Sequence, residues 1–528
     1  MAYCILENTH EAYHDDINPL LAKVLAFYQF DQEKLDQIFS EYIPSTIKNN
    51  EYIEKVKARL LKAKEMNERV LVFGDYDADG ICSTTMMVSL LKKLNIDCGF
   101  YIPNRLSEGY GLNVNTTIDA YHKGYSLIIT VDNGVKADEA ISKANELKID
   151  VIVCDHHILE RNDLDYLIHP DVLPKEYQNL CGAGVVLQLA LAFDIDEPFY
   201  WILAMAATIG DMVEMFDVNR YIVKKGLVLI NQHGFLPITA LIKNDQMINE
   251  EVIAYHLIPA LNTLGRLADQ ANVNVLVDYL MLKDQTTIYN TAKQISALND
   301  HRKDMIIKVG QDEHQFFSLP NYNVYISNEY HEGLIGLLAN RFMIENQKPT
   351  LVATKNEDLF KFSGRSINGF DIHEELKQYQ ILFISFGGHK QACGFSIHSD
   401  QLDSFIRSLS LETTKIDVTI MQKVIKLDLS DLTIDNIESL ALLRPFGTGI
   451  KQPLFLLEAI KIDDHILLKG KYPKAKTVIN DQTLEIICFN KTIISDDLLV
   501  TKPLIGQLSI NRFKNQIKMN FKVEDVLF

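Results

Sequence analysis

The sequence has little cysteine: seven residues in 528, scattered singly with no Cys-x-x-Cys pair. That excludes a zinc ribbon and a disulfide framework, and it suits reduced thiols in a cytoplasm. No uninterrupted apolar run is long enough to cross a bilayer. Met1-Ala2-Tyr3-Cys4 does not open a basic segment followed by an apolar one, so no secretory signal is expected. Tandem repeats and low-complexity segments are also lacking. Positive charge is scarce: 52 Lys and Arg against 70 Asp and Glu leave a formal net charge of -18. Binding to nucleic acid normally leaves a basic footprint, so the deficit counts against such a partner. It does not exclude a metal-dependent nuclease, whose ligands are carboxylates and whose groove need only be locally basic.

What is present fits a multidomain protein. A chain of 528 residues is too long for one core and predicts two to four domains. The first fifty residues read as a mixed helical lead-in. From Asn67, short apolar strands alternate with helical segments: strands at Val70–Phe73, Cys98–Ile102, Leu127–Val131 and Val151–Cys154, helices at Ile81–Leu94, Asn113–His122 and Lys136–Leu147. This alternation predicts a parallel, doubly wound sheet. Apolar helices follow at Ala183–Phe193 and Tyr200–Ile209, then a mostly helical stretch to about Glu313. A second α/β pattern has expected strands at Val324–Ser327, Thr350–Thr354 and Leu382–Phe386, and the chain turns β-rich after about Glu412. There Ile517, Met519, Phe521 and Val523 alternate with Lys518, Asn520 and Lys522, as in a half-buried strand.

The densest chemistry lies at residues 73–80, Phe-Gly-Asp-Tyr-Asp-Ala-Asp-Gly, directly after an apolar strand. Three carboxylates at alternate positions repel one another unless a cation holds them, and a divalent metal is the natural one. Asp77 and Asp79 are spaced to point the same way from an extended segment. Asp132 follows the strand Leu127–Val131, His156 and His157 follow Val151–Cys154, and Asp211 follows the helix ending at Ile209-Gly210. The first three sites then share one edge of the sheet, where open α/β sheets bind ligands. Four carboxylates and one imidazole suffice for two ions that activate water and stabilise the leaving oxygen of a phosphodiester. One imidazole among oxygens tilts the choice towards manganese. Taken singly, an aspartate after a strand is usually a helix cap or turn residue. A calcium loop is excluded because its Glu is missing and a strand leads in. The joint pattern carries the metal reading.

These residues, with Asp155-His156-His157, resemble the DHH phosphoesterase superfamily, and most closely its RecJ-type single-strand-specific exonucleases. Sister branches place a His four residues before the first ligand Asp; Phe73 stands there, as in the RecJ branch. His331-Glu332-Gly333-Leu334-Ile335-Gly336, Ser363-Gly364-Arg365-Ser366 and Gly387-Gly388-His389 resemble the associated DHHA1 domain. Arg444-Pro445-Phe446-Gly447-Thr448-Gly449 resembles the opening of the RecJ OB domain. The implied organisation is an N-terminal lead-in over 1–50, a parallel-sheet DHH catalytic domain over 51–215, a helical connector over 216–315, a second α/β domain of DHHA1 type over 316–411, and a C-terminal β OB-like domain over 412–528.

The resemblance implies Asp77, Asp79, Asp132, His156 and Asp211 as ligands of two Mn2+ or Mg2+ ions, with Asp132 bridging and Asp75 a weaker candidate. His157 joins the catalytic set, contacting the scissile phosphate or supporting the ligands. Arg105, Ser363 and Arg365 are implied as a pocket for a terminal 5′ phosphate; Arg suits this because its planar fork pairs with phosphate oxygens. Asn262 and Arg266 would contact the strand, although Ala260 replaces the Arg common in the family, which puts one phosphate contact in doubt; His389 completes the substrate set. In the OB-like end, Arg512, Lys514, Lys518 and Lys522 offer a basic face, with Phe513 nearby, while Phe521 belongs to the core. The implied activity is 5′→3′ hydrolysis of single-stranded DNA to mononucleotides in repair and recombination, by two-metal activation of water. Single-stranded DNA and a single-strand-binding protein are the expected partners of a cytoplasmic monomer free of any membrane. The alternatives are a small-substrate phosphodiesterase of the same superfamily, cutting oligoribonucleotides or cyclic dinucleotides, and a catalytically inactive nucleic-acid-binding subunit.

Overall fold

The computed structural model describes all residues except 1, 7–16, 41, 160–162, 243–246, 310–313, 412–420, 459–461, 463, 469–471, 490–501, 514–515 and 528. Lys514 therefore lies outside the described residues. The chain forms two compact units, Pro44–Val213 with Val218–Val418, and Met1–Ile43 with Glu214–Asp217 and Thr419–Phe528. The expected boundaries regroup accordingly. The catalytic, connector and second α/β segments share the larger unit, and the lead-in divides at Ile43.

The larger unit is built on a five-stranded sheet in the order Asp97–Tyr101, Arg69–Phe73, Leu127–Val131, Asp150–Cys154, Tyr166–Ile168, every pair parallel. Its central strands are buried along nearly their whole length, which is why they read as continuous apolar runs and not as alternation. The helix Ala78–Lys93 packs on this sheet and is buried over its whole first half. Helices Gly182–Ala192 and Pro198–Gly210 pack against it, almost wholly apolar. A helical array follows: Asp217–His233, Leu236–Ile242, Glu250–Arg266, Asn274–Met281 and the long Gln285–Lys308. Within it, a π-helical turn at Ile253–Leu257 precedes Pro259, whose missing N–H favours a local change of hydrogen-bond pattern.

The second sheet has six strands in the order Ser385–His389, Ala392–His398, Leu359–Arg365, Thr350–Asn356, Asn323–Ile326, Gln315–Ser318. Only Asn323–Ile326 and Thr350–Asn356 pair in parallel. The strand expected at Leu382–Phe386 begins later, at Ser385, because Gln380–Leu382 forms a 3-10 turn first.

In the smaller unit, eight strands form one sheet that starts with Ala2–Leu6, paired in parallel with Met421–Lys426. The lead-in thus contributes an edge strand here. Met519, Phe521 and Val523 are buried on the strand Gln516–Val526, whereas Ile517 is exposed. No helix of the described residues is long and apolar enough to cross a membrane.

Candidate metal centre and arginine cluster

The strand Arg69–Phe73 ends at Phe73, so the alternation of a strand does not govern Asp75, Asp77 and Asp79. Asp77 caps the helix Ala78–Lys93, its carboxylate accepting from the backbone N–H groups of Asp79 and Gly80 at 3.0 and 3.1 Å. Asp79, in the first turn, reaches the next helix, where Oδ2 accepts from Gly182 N–H at 2.6 Å and Oδ1 from Ala183 N–H at 2.7 Å. Gly182 is required there: a Cβ would stand 2.8 Å from the Cβ of Asp132. Asp132 itself adopts a left-handed φ of 60° at the end of its strand. Such strain in a non-glycine residue is tolerated where surroundings over-determine it and marks functional positions.

His156 joins these carboxylates. Its Nε2 lies 3.0 Å from Asp132 Oδ1, and 3.7 Å from both Asp79 Oδ2 and Asp211 Oδ2. The donor atoms form two adjacent groups, each within 4.8 Å: Asp79, His156 and Asp211, and Asp75, Asp77 and Asp132. A third grouping, Asp132, His156 and His157, links them. Asp75, set aside on the sequence alone, thus sits with the second group, and its buried Oδ1 has no hydrogen-bond partner.

The electrostatics are those of anions without a cation. Burial and the charge of Asp79 push the Asp132 carboxyl well above the usual range. Burial and Asp77 do the same to Asp75, and burial with Asp79 raises Asp77. Asp211 is pushed up to about 8 by burial, Asp79 and Asp77. Burial lowers the His156 pKa, which favours the neutral imidazole that a metal needs.

The motif's own aspartate behaves oppositely. Asp155 accepts from the backbone N–H of His156, His157 and Val135, and its Oδ1 lies 2.8 Å from His157 Nδ1. Burial alone would raise it, but these bonds and the His157 charge hold it at about 2. Asp155 therefore orients the loop that carries His156 and His157. Tyr110, which sequence reasoning missed, adds a second hold: its hydroxyl donates to Asp132 O at 3.1 Å and lies 3.1 Å from His157 Nε2. Its place beside Gly109 and Gly111, both at positive φ, was the available signal.

The predicted phosphate-contacting residues also converge. The Arg105 guanidinium stands over the Tyr76 ring at 4.9 Å, and Tyr76 packs edge-on against Tyr110. Arg365 donates through Nη1 to Ser363 Oγ at 3.1 Å and Gly364 O at 2.8 Å. Gly336, opening the helix Ile335–Asn346, leaves room for them, since a Cβ there would lie 3.1 Å from Arg365 Nη2. Arg266 is pushed down to about 9 by burial and by Arg105, Arg302 and Arg365. Burial lowers Arg365 as well, with Arg105 adding to it. His389 stands exposed at the end of its strand; partial desolvation by its neighbours and then the Arg365 charge lower its pKa. Asn262 Oδ1 accepts from Ala78 N–H at 2.7 Å and so supports the helix start beside Asp77. Ala260 is buried and presents nothing to a strand. In the smaller unit, Lys518 is paired with Glu485 at 3.0 Å, so its charge is already answered.

Three family models match in succession: the DHH family N-terminal domain over residues 69–210, the DHHA1 domain over 320–414 and the RecJ OB domain over 425–525. The single-stranded-DNA-specific exonuclease RecJ of Bacillus subtilis is 30% identical over 541 aligned residues, covering 96% of this chain and 68% of the relative. The chain belongs to the RecJ family. Its likeness to the RecJ exonuclease of Haemophilus influenzae is 26% over 89% of this chain and 90% of that one. The fold is similar to that in the crystal structure of Thermus thermophilus RecJ in complex with Mn2+, with a TM-score of 0.80 at 21% identity over 97% of this chain and 76% of that one. A crystal structure of an exonuclease RecJ bound to manganese matches at 25% identity with a TM-score of 0.60, over 69% of this chain and 95% of that one.

Proposed function

We propose that the chain is a metal-dependent 5′→3′ exonuclease that hydrolyses single-stranded DNA to mononucleotides in repair and recombination. One observation carries this reading: a carboxylate cluster in want of a cation lies within electrostatic reach of an arginine cluster in want of an anion. Asp75, Asp77, Asp79, Asp132, His156 and Asp211 would hold two Mn2+ or Mg2+ ions. The donors fit such ions, being oxygens with one imidazole, and the orphaned Asp75 Oδ1 and raised carboxyl pKa values are what a dication would answer. When bound, the ions supply a nucleophile from water at neutral pH and neutralise the leaving oxygen.

The chain's own residues do the rest. Asp132 and Asp79, fixed by backbone N–H groups and by His156, set where the phosphodiester is presented. His157, held between Asp155 and Tyr110, presents an imidazole to the scissile phosphate. Arg365, Ser363 and Arg105 receive the 5′-terminal phosphate, which carries more charge than an internal diester and so sets polarity. Arg266 steadies the strand between the two. Action as a cytoplasmic monomer alongside a single-strand-binding protein completes the reading on the family relationship.

The test compares turnover of a long 5′-phosphorylated DNA strand with that of a dinucleotide, with Mn2+ and with chelator. The long strand should be preferred and chelation should abolish its turnover. Preference for the dinucleotide would assign the chain to small-substrate phosphodiesterases.

A further inference from the structure

Arg302 lies on the helix Gln285–Lys308, in a stretch that reads as a connector, and is only 7% exposed. A guanidinium is rarely buried unless paired with an anion. Among the described residues no carboxylate lies within ion-pair distance of Arg302. Its Nε and Nη2 donate to Asn299 Oδ1 at 3.1 and 3.0 Å, a neutral acceptor one turn back. Nη1 makes no hydrogen bond, yet is not sealed from solvent.

The same Asn299 Oδ1 lies 3.0 Å from Thr263 Oγ1 on the helix Ile258–Arg266. Arg266 stands three residues beyond Thr263 and Arg302 three residues beyond Asn299, each one turn on from this contact. The two guanidiniums are thus carried by helices that meet at this contact. Arg266 makes no ion pair of its own among the described residues and is close enough to Arg302 to be depressed by it. Two like charges near one another under burial repel, and a shared anion would relieve that cost.

We infer that Arg302 and Arg266 together bind one backbone phosphate of the substrate strand, separate from the terminal phosphate at Arg365 and Ser363. Arg302 is pre-set by Asn299, so Nη1 is offered to a nonbridging oxygen. Arg266 takes the other. The inference rests on the exonuclease reading and adds to it a residue and a contacted phosphate.

The test is steady-state digestion of a 5′-phosphorylated oligodeoxynucleotide by full-length wild type, Arg302→Met, Arg302→Gln and Arg302→Lys, at several salt concentrations. Thermal melting of each protein is measured without DNA. Removing one charge-assisted phosphate bond should raise KM about tenfold or more. The slope of log(kcat/KM) against log salt should become shallower by about one unit, with kcat changed far less. Arg302→Lys, keeping the charge without the fork, should recover the slope and part of the KM. Arg302→Met should melt no lower than wild type, because the free protein gains nothing from an unpaired buried cation. Wild-type KM and salt slope in Arg302→Met and Arg302→Gln would overturn the inference, as would a fall of both melting points with an unchanged slope. If wild type leaves the strand intact, the exonuclease reading itself falls; if wild type digests it and Arg302→Met does so equally, only the role of Arg302 falls.

Discussion

Arg59 and Arg302 are buried to nearly the same degree, 4% and 7% exposed, yet they are opposites. Arg59 bonds Glu68 and Asp150, each at 2.7 Å. Burial would lower its pKa, but those two carboxylates raise it. Arg302 has only a neutral amide, and burial lowers it. The first is a charge the fold has paired, holding a helix to a strand, although its Nη1 makes no hydrogen bond. The second, with Arg105, Arg266 and Arg365, is on the proposed reading half of an interaction whose other half is the substrate strand. The same contrast runs through the carboxylates: Asp155 is satisfied and held at about 2, while Asp211 is unanswered and lifted to about 8. Charges the fold has paired are structural; charges it has gathered and left unpaired mark where substrate and metal go.

The contrast can be broken at several points. The largest effect should come from Asp132→Ala, which removes the carboxylate that sits with Asp75 and Asp77 and lies 3.0 Å from the His156 imidazole of the other group; mononucleotide release should fall about a thousandfold or more, read by product chromatography. Next is Arg365→Ala. Losing charge-assisted bonds to a terminal phosphate should cost about 10- to 100-fold in kcat/KM on 5′-phosphorylated strands. It should cost little on 5′-hydroxyl strands, so the ratio between the two substrates is the readout. Arg59→Met should lower stability by about 2 kcal/mol by orphaning two partly exposed carboxylates, measured by denaturant melting, in contrast to Arg302→Met.

A pH series sharpens the same point. A carboxyl raised in the folded state binds its proton more tightly there, so folding is favoured at low pH and that advantage is lost as pH rises through the folded value. For Asp211 the window runs from about 4 to about 8. The metal-free protein should therefore melt lower at pH 8 than at pH 5, and Mn2+ should recover most of the loss at pH 8. Asp211→Asn should flatten the metal-free profile; a melting point that rises across this window would contradict the electrostatic reading. The smallest effect belongs to Lys518→Ala: its partner Glu485 keeps Lys474 at 2.9 Å, so strand affinity should change less than about twofold in a binding titration.

Much of this was legible in the sequence where burial is complete. The strands at Leu127–Val131 and Asp150–Cys154 are buried on both faces and so read as unbroken apolar runs. The fifth strand, Tyr166–Ile168, is three residues long and too short to signal itself. The convergence of Asp132 and His156 on Asp79 was legible because topology brings the ends of parallel strands together. Asp75 stood as the weaker candidate of the three, and only the fold shows it gathered with Asp77 and Asp132, its buried Oδ1 without a hydrogen bond. Sequence could not show that Asn262 also supports the start of a helix far away in the chain, where its oxygen accepts from Ala78 N–H. Arg302 passed unnoticed among Asp300, His301 and Lys303, since a charged run on a helix reads as a solvated face until burial is known.

Whether the gathered charges receive a 5′ end and a metal is decided by digestion of one single strand labelled at either end, in Mn2+, with the 5′ end phosphorylated or not. Labelled mononucleotide should appear at once from the 5′ label, the 3′-labelled strand should shorten gradually, and digestion should be slower without the 5′ phosphate. Mononucleotide released first from the 3′ end, or digestion indifferent to the 5′ phosphate, would contradict it.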